Sequence, residues 1–75
     1  SSAYLTGAFA RGHDHPEIHI LLEGENIDTA YLKRIVRKAE GYISRRIRYV
    51  ITAPEALADK LKEHPEALLL WKEED

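Results

Sequence analysis

The residues best suited to chemistry lie near the start of the chain, where a polar connector leads into an apolar stretch. Glu17 and His19 are two positions apart, and two residues is the side-chain repeat of a β-strand, so both are expected on one strand face. His15 precedes them in the connector. Imidazole with carboxylate suits zinc or another borderline metal better than magnesium. The favoured alternative is a solvated loop and strand face, because the spacing matches no established zinc motif.

A second candidate site is the glycine-bounded turn that comes before this cluster. Gly7, Ala8 and Arg11 could hold a nucleotide phosphate, because successive backbone N–H groups in a turn form an anion-binding concavity. The alternative is that the glycines serve the tight turn alone. We favour the turn alone, since Ala8 has no hydroxyl to contact a phosphate.

The apolar pattern predicts the elements that position these residues. Strands are predicted over residues 3–6 and 17–22, on either side of the turn. A long helix is predicted from Asp28, a good N-cap, because apolar residues recur from Leu32 onward at steps of three and four.

The opposite face of that helix is basic. It could contact nucleic acid or an acidic partner. The favoured alternative is a solvated helix face next to an edge strand protected by its arginines. The helix residues concerned are Lys33, Arg34, Arg37 and Lys38, and the same charge asymmetry continues with Arg45, Arg46 and Arg48.

The second half of the chain predicts a third strand over residues 46–52 and a further helix. Thr52 and Glu55 fit a capping box at the start of that helix, and Pro65 ends it at His64. Residues 66–71 are predicted to add one or two helical turns. The order β-β-α-β-α predicts a small mixed sheet with helices packed on one face, in the α/β (α+β) class.

The turn and the second strand together resemble the nucleotidyltransferase superfamily, the fold of DNA polymerase beta and of minimal prokaryotic nucleotidyltransferases. Gly7-Ala8 stands where that family has Gly-Ser or Gly-Gly, and residues 8–12 resemble its S-x-A-R-G turn. Glu17-Ile18-His19 falls where the family has Asp-x-Asp, and residues 20–22 continue the apolar strand. The chain looks most similar to the domains attached to small winged-helix regulators of bacteria and archaea.

The chain departs from this pattern where the chemistry would take place. Such enzymes hold two metal ions with carboxylates, but His19 is a poor magnesium ligand and Ala8 lacks the serine hydroxyl. The third family carboxylate would fall in residues 46–52, which contain no acid. The resemblance therefore implies a scaffold that has lost its catalytic metal site.

The composition limits the remaining possibilities. A chain of 75 residues with a net charge of −2 fits one domain, and nothing in its overall charge steers it to nucleic acid or membrane. It contains no cysteine, which is compatible with a reducing cytosol, and we expect a cytoplasmic protein. Because the first residues are Ser1-Ser2 and the chain lacks methionine, we expect a fragment of a longer prokaryotic protein.

Three functions are carried forward. The first is a catalytically degenerate nucleotidyltransferase-fold domain that acts as a binding or regulatory module in a transcriptional regulator, with no cofactor and with no membrane contact. Its partner would be a second copy or another domain of the parent protein. The second is a metal-dependent nucleotidyltransferase with an altered site at Glu17 and His19, using zinc or magnesium. The third is a nucleic-acid contact through the basic helix.

Overall fold

The computed structural model describes residues 1–73 as a small mixed α/β domain with a four-stranded sheet and three helices. The strands are β1 (Ser2–Thr6), β2 (Glu17–Glu23), β3 (Arg46–Thr52) and β4 (Leu68–Lys72). The helices are α1 (Gly7–Ala10), α2 (Thr29–Ile43) and α3 (Leu57–Glu63), and a short 3-10 turn (Pro54–Ala56) leads into α3. The predicted α/β class and the first three strands are confirmed.

The sheet order is β3-β2-β1-β4. β1 is antiparallel to both of its neighbours, whereas β2 and β3 are parallel. The register pairs Leu21 with Tyr4 on one side and with Val50 on the other, so these side chains share a face. Glu17, His19 and Thr6 belong to the same face, which we call the polar face. The apolar face carries Leu5, Ile18, Ile20, Leu22, Ile47 and Tyr49.

The two longer helices belong to crossovers that run in opposite directions across the sheet. Side chains of α3 line a cavity together with His19 and Leu21, which places this helix over the polar face. The crossover through α2 moves from β2 to β3, and the crossover through α3 moves back across the sheet to β4. Right-handed crossovers in opposite directions put their helices on opposite faces. These crossovers argue against the prediction that the helices pack on one face.

The last element differs from the prediction as well. Residues 66–71 were expected to be helical, but Leu68–Lys72 forms β4, an edge strand antiparallel to β1. The run of apolar residues has no helical or strand periodicity of its own, so the open edge of β1 decides its conformation. A shift of register between Ala3 and Tyr4 marks a bulge in this pairing.

The helix starts were predicted with mixed success. Asp28 is the N-cap of α2, and its carboxylate accepts the N–H of Tyr31 at 3.0 Å. The capping box at Thr52 and Glu55 is wrong, because Ala53 precedes the 3-10 turn and no side chain caps it. Thr52 is instead buried at the end of β3.

The hydrophobic core is small. Among residues 1–73, Leu21 is the hydrophobic side chain that counts as buried, with 3% of its surface exposed. The buried polar residues Ser2, Thr6 and Thr52 lie on the same face of the sheet. None of the helices over residues 1–73 is both long enough and apolar enough to span a lipid bilayer.

Candidate functional site

The turn after β1, where a phosphate site was weighed against a plain tight turn, is tight and bounded by two glycines. Gly7 and Gly12 have φ angles of +74° and +83°, a region that side chains with a Cβ atom rarely adopt. Between them, α1 makes a single turn, and the N–H of Arg11 bonds back to the carbonyl oxygens of Gly7 and Ala8 at 3.2 and 3.1 Å. The N–H of Gly7 is left pointing out of this turn.

An internal carboxylate occupies the turn. Glu66 Oε2 accepts the N–H of Gly7 at 2.8 Å, and Glu66 Oε1 lies 3.6 Å from Nη2 of Arg11. Nδ1 of His64 is 3.3 Å from Glu66 Oε2. The Glu66 side chain is only 9% exposed. The backbone N–H of Gly7 is the main cause that lowers the pKa of this carboxyl, and the N–H of Glu66 itself, the charge of Arg11 and the hydrogen bond with His64 add to it, so the carboxyl remains an anion.

Glu66 was not predicted as a site residue. It lies 59 positions from Gly7 along the chain, and only the pairing of β4 with β1 brings the two together. No local pattern in the sequence marks such a contact.

The second predicted site, on β2, is brought together as expected on one face. Nε2 of His19 lies 3.6 Å from Glu17 Oε1. Arg48, the register partner of His19 on β3, donates from Nε to Glu17 Oε2 at 3.0 Å. This hydrogen bond is the main cause that lowers the pKa of Glu17. The carboxylate that would bind a metal is thus already neutralised by a guanidinium.

His15 is held away from a shared metal position. Its Nδ1 accepts the backbone N–H of Glu17 at 3.0 Å, which fixes the ring against the start of β2. The ring centroids of His15 and His19 are 6.4 Å apart. Over residues 1–73, no three side chains of His, Cys, Asp or Glu are grouped so that they could hold a metal ion.

A cavity of about 150 Å³ lies between the polar face and α3. Its ionisable lining consists mainly of nitrogen-bearing side chains, with Arg48 and His19 from the sheet and Lys60 and His64 from α3. Lys60 is 3.7 Å from Glu63, the acid in this lining. A wider open hollow beside His15 is bounded by the ion pair of Asp14 and Arg45 and reaches neither the turn nor Glu17.

The structure divides the predicted basic patch into paired and unpaired parts. Arg45 bonds to Asp14 at 2.8 Å and Arg48 bonds to Glu17, so neither presents a free charge. The α2 residues of the patch are all exposed, and within residues 1–73 none of them lies within ion-pair distance of a carboxylate. They are Lys33, Arg34, Arg37 and Lys38. The guanidinium of Arg34 lies 5.8 Å from the ring centroid of Tyr31.

Comparisons of the chain with protein-family models, with curated proteins and with solved structures gave no match.

Proposed function

We propose that the chain is a catalytically degenerate domain of the nucleotidyltransferase fold that acts as a binding or regulatory module, as part of a transcriptional regulator. The fold assignment rests on the residue pattern of the turn and of β2, and on an element order that includes the antiparallel β1–β2 pair and the parallel β2–β3 pair. The assignment to a transcriptional regulator rests on the resemblance to domains attached to winged-helix proteins.

One structural observation supports the proposed loss of catalytic activity. At both positions where such an enzyme would bind its nucleotide, the chain supplies its own counterion. Arg48 lies 3.0 Å from Glu17, where a metal would need the carboxylate, and Glu66 lies 2.8 Å from the N–H of Gly7, where a phosphate would need the turn. A ligand would have to displace both pairs before any transfer could start, and without paired metals little would stabilise the transition state.

The test is a titration of the isotope-labelled chain with magnesium, manganese or zinc, each with and without ATP or GTP, followed by amide NMR. We expect no saturable shifts at Gly7, Arg11, Glu17 and His19 with magnesium and nucleotide, and no nucleotide transfer. Saturable shifts with zinc alone would mean a metal site without transfer chemistry. Shifts with magnesium and nucleotide, together with measured transfer, would overturn the proposal in favour of an enzyme.

A gain-of-function variant makes the same test sharper. Ala8→Ser with His19→Asp restores the residue types of the family pattern, and Arg48→Gln removes the guanidinium that blocks Glu17. We expect this triple variant to bind magnesium, because two carboxylates then share one face. The matched control carries Arg46→Gln in place of Arg48→Gln, since Arg46 lies on the same strand face and makes no bond to Glu17 within residues 1–73.

The exposed cations of α2 support a second candidate, contact with nucleic acid. They lie together on one side of the helix without acidic partners in the described chain, which is the arrangement that phosphate binding needs. Binding to double-stranded DNA that weakens steeply with salt, and that is lost in Arg34→Glu with Arg37→Glu, would support this candidate. Binding unchanged by those substitutions would exclude the helix as the contact.

A further inference from the structure

The two edges of the sheet differ in how well they suit pairing with a strand of another chain. At one edge, β4 exposes four consecutive apolar side chains, Leu68, Leu69, Leu70 and Trp71, with exposed fractions of 51%, 55%, 53% and 54%. At the other edge, β3 carries Arg46 and Arg48 on its polar face. Charged side chains on an edge strand discourage pairing with another strand, and β4 carries a charge only at its last residue, Lys72.

The backbone of β4 also has hydrogen-bonding groups that face away from β1. The N–H of Glu73 donates inward to Ser1 O at 2.9 Å, so the alternation of an antiparallel ladder turns the backbone groups of Lys72 outward. The bulge skips Leu70, because the register passes from Leu69 opposite Tyr4 to Trp71 opposite Ala3. Leu70 therefore lacks a partner in β1.

We propose that two copies of the chain associate through β4, with the two strands antiparallel about a two-fold axis near Leu70. This names the partner of the binding module proposed above, and so it rests on that role. An antiparallel pair of identical strands is self-complementary and closes at two copies. Pairing of β4 with β3 of another copy would instead be head-to-tail and would form a ring or an open filament, and the arginines of β3 oppose it.

The exposed area is consistent with a weak dimer. The four apolar side chains of β4 leave on the order of 100 Å² each open to water, so two copies have on the order of 800 Å² of apolar surface to bury, the size of a weak or transient interface. Association would also bury apolar surface that a single copy leaves exposed. A chain of 75 residues buries little apolar surface by itself, and Leu21 is the buried hydrophobic side chain of residues 1–73.

The first experiment is sedimentation velocity over a range of protein concentrations. We expect the wild-type chain to sediment as a dimer, and Leu70→Lys to weaken the dimer by at least about tenfold, because it places two like charges next to the axis. Val50→Lys is the matched control, an apolar residue of the opposite edge strand with a similar exposed fraction of 56%. It should leave the dissociation constant unchanged.

A second variant tests the same interface and stays informative even if Leu70→Lys fails to fold. Because the chain contains no cysteine, Leu70→Cys introduces a single thiol. Directly opposed residues of an antiparallel pair have Cα atoms within about 5.5 Å of each other, a spacing that a disulfide bridges. We expect rapid oxidative cross-linking to a covalent dimer, and none for Val50→Cys.

Several results would overturn the dimer. They are a monomeric wild-type chain, assemblies larger than two, or a dimer that Val50→Lys breaks and Leu70→Lys does not. Each of these would leave the nucleotide titration unaffected, so the failure of the interface and the failure of the degenerate-enzyme proposal can be told apart.

Discussion

The carboxylate of Glu66 accepts the backbone N–H of Gly7 at 2.8 Å, although 59 positions separate the two residues. This bond joins the segment that leads into β4 to the turn that follows β1. The side chain of Arg11, 3.6 Å from the same carboxylate, strengthens the connection. The N–H of Gly7, the candidate phosphate ligand of the turn, therefore holds the last strand in place.

The tether predicts a specific dependence of stability on pH. The pKa of Glu66 is lower in the folded chain than its ordinary value of 4.5, so its ionised form stabilises the fold. That contribution is fully present above pH 4.5 and is lost as the pH falls through the lower, folded pKa. We expect Glu66→Gln to lower the free energy of unfolding at neutral pH, and the difference from wild type to shrink in acid.

Urea unfolding followed by circular dichroism at several pH values measures this difference. Glu25→Gln is the control, because Glu25 is exposed in the loop before α2 and makes no side-chain hydrogen bond within residues 1–73. A difference between wild type and Glu66→Gln that stays constant from neutral pH to acid would contradict the ionic role of Glu66.

The pair of Arg48 and Glu17 predicts a shift that NMR can read directly. We expect Arg48→Gln to raise the pKa of Glu17 toward 4.5, because the hydrogen bond from Arg48 is the largest cause of its depression. Carboxyl ¹³C shifts followed against pH give the value. Arg46→Gln should change the pKa of Glu17 less, and an equal change in both variants would mean that general charge, not the direct bond, sets it.

The small core predicts an uneven sensitivity to truncation. Leu21→Ala should lower the free energy of unfolding by about 3 kcal/mol, because it removes a buried side chain and leaves a cavity. Val50→Ala, at the register partner of Leu21 on exposed β3, should cost less than about 1 kcal/mol. Chemical denaturation of both variants measures this, and similar losses would contradict the burial pattern.

The glycines predict opposite effects of the same substitution. Gly41 lies inside α2, and a Cβ there would meet no atom within 4 Å, so Gly41→Ala should stabilise the chain by about 1 kcal/mol. Gly7 has a φ of +74°, and Gly7→Ala should destabilise it by about 1–2 kcal/mol. Thermal unfolding compares the two. A loss of stability in Gly41→Ala would contradict the open space that surrounds this position.

The elements that the sequence predicted well are those that local chemistry determines. The strands around the turn and β3 have alternating or β-branched residues between breakers, and Asp28 caps α2 through a contact only three residues long. β4 was missed because residues 68–71 are uniformly apolar, and such a run is equally consistent with a helix. Its partner, β1, lies at the other end of the chain.

The candidate site also has one part that the sequence predicted and one part that it did not. That Glu17 and His19 would share a face follows from the two-residue repeat, and the structure places them together. The pairing of Arg48 with Glu17 depends on the parallel register of β2 and β3. No residue pattern in either strand predicts that register. The same applies to Glu66, which is charged and near a proline, features typical of any solvated loop.

The two ends of the described chain meet, since the N–H of Glu73 bonds to Ser1 O at 2.9 Å. Tension applied between the two ends would break the hydrogen bonds of the β1–β4 ladder one after another. It would not load all of these bonds at the same time, as a shearing force along the strands would. The domain should therefore yield to a small pulling force, with β4 leaving first and the parallel β2–β3 pair last. In a longer polypeptide, strain from neighbouring segments would act first on the strand that Glu66 holds in place.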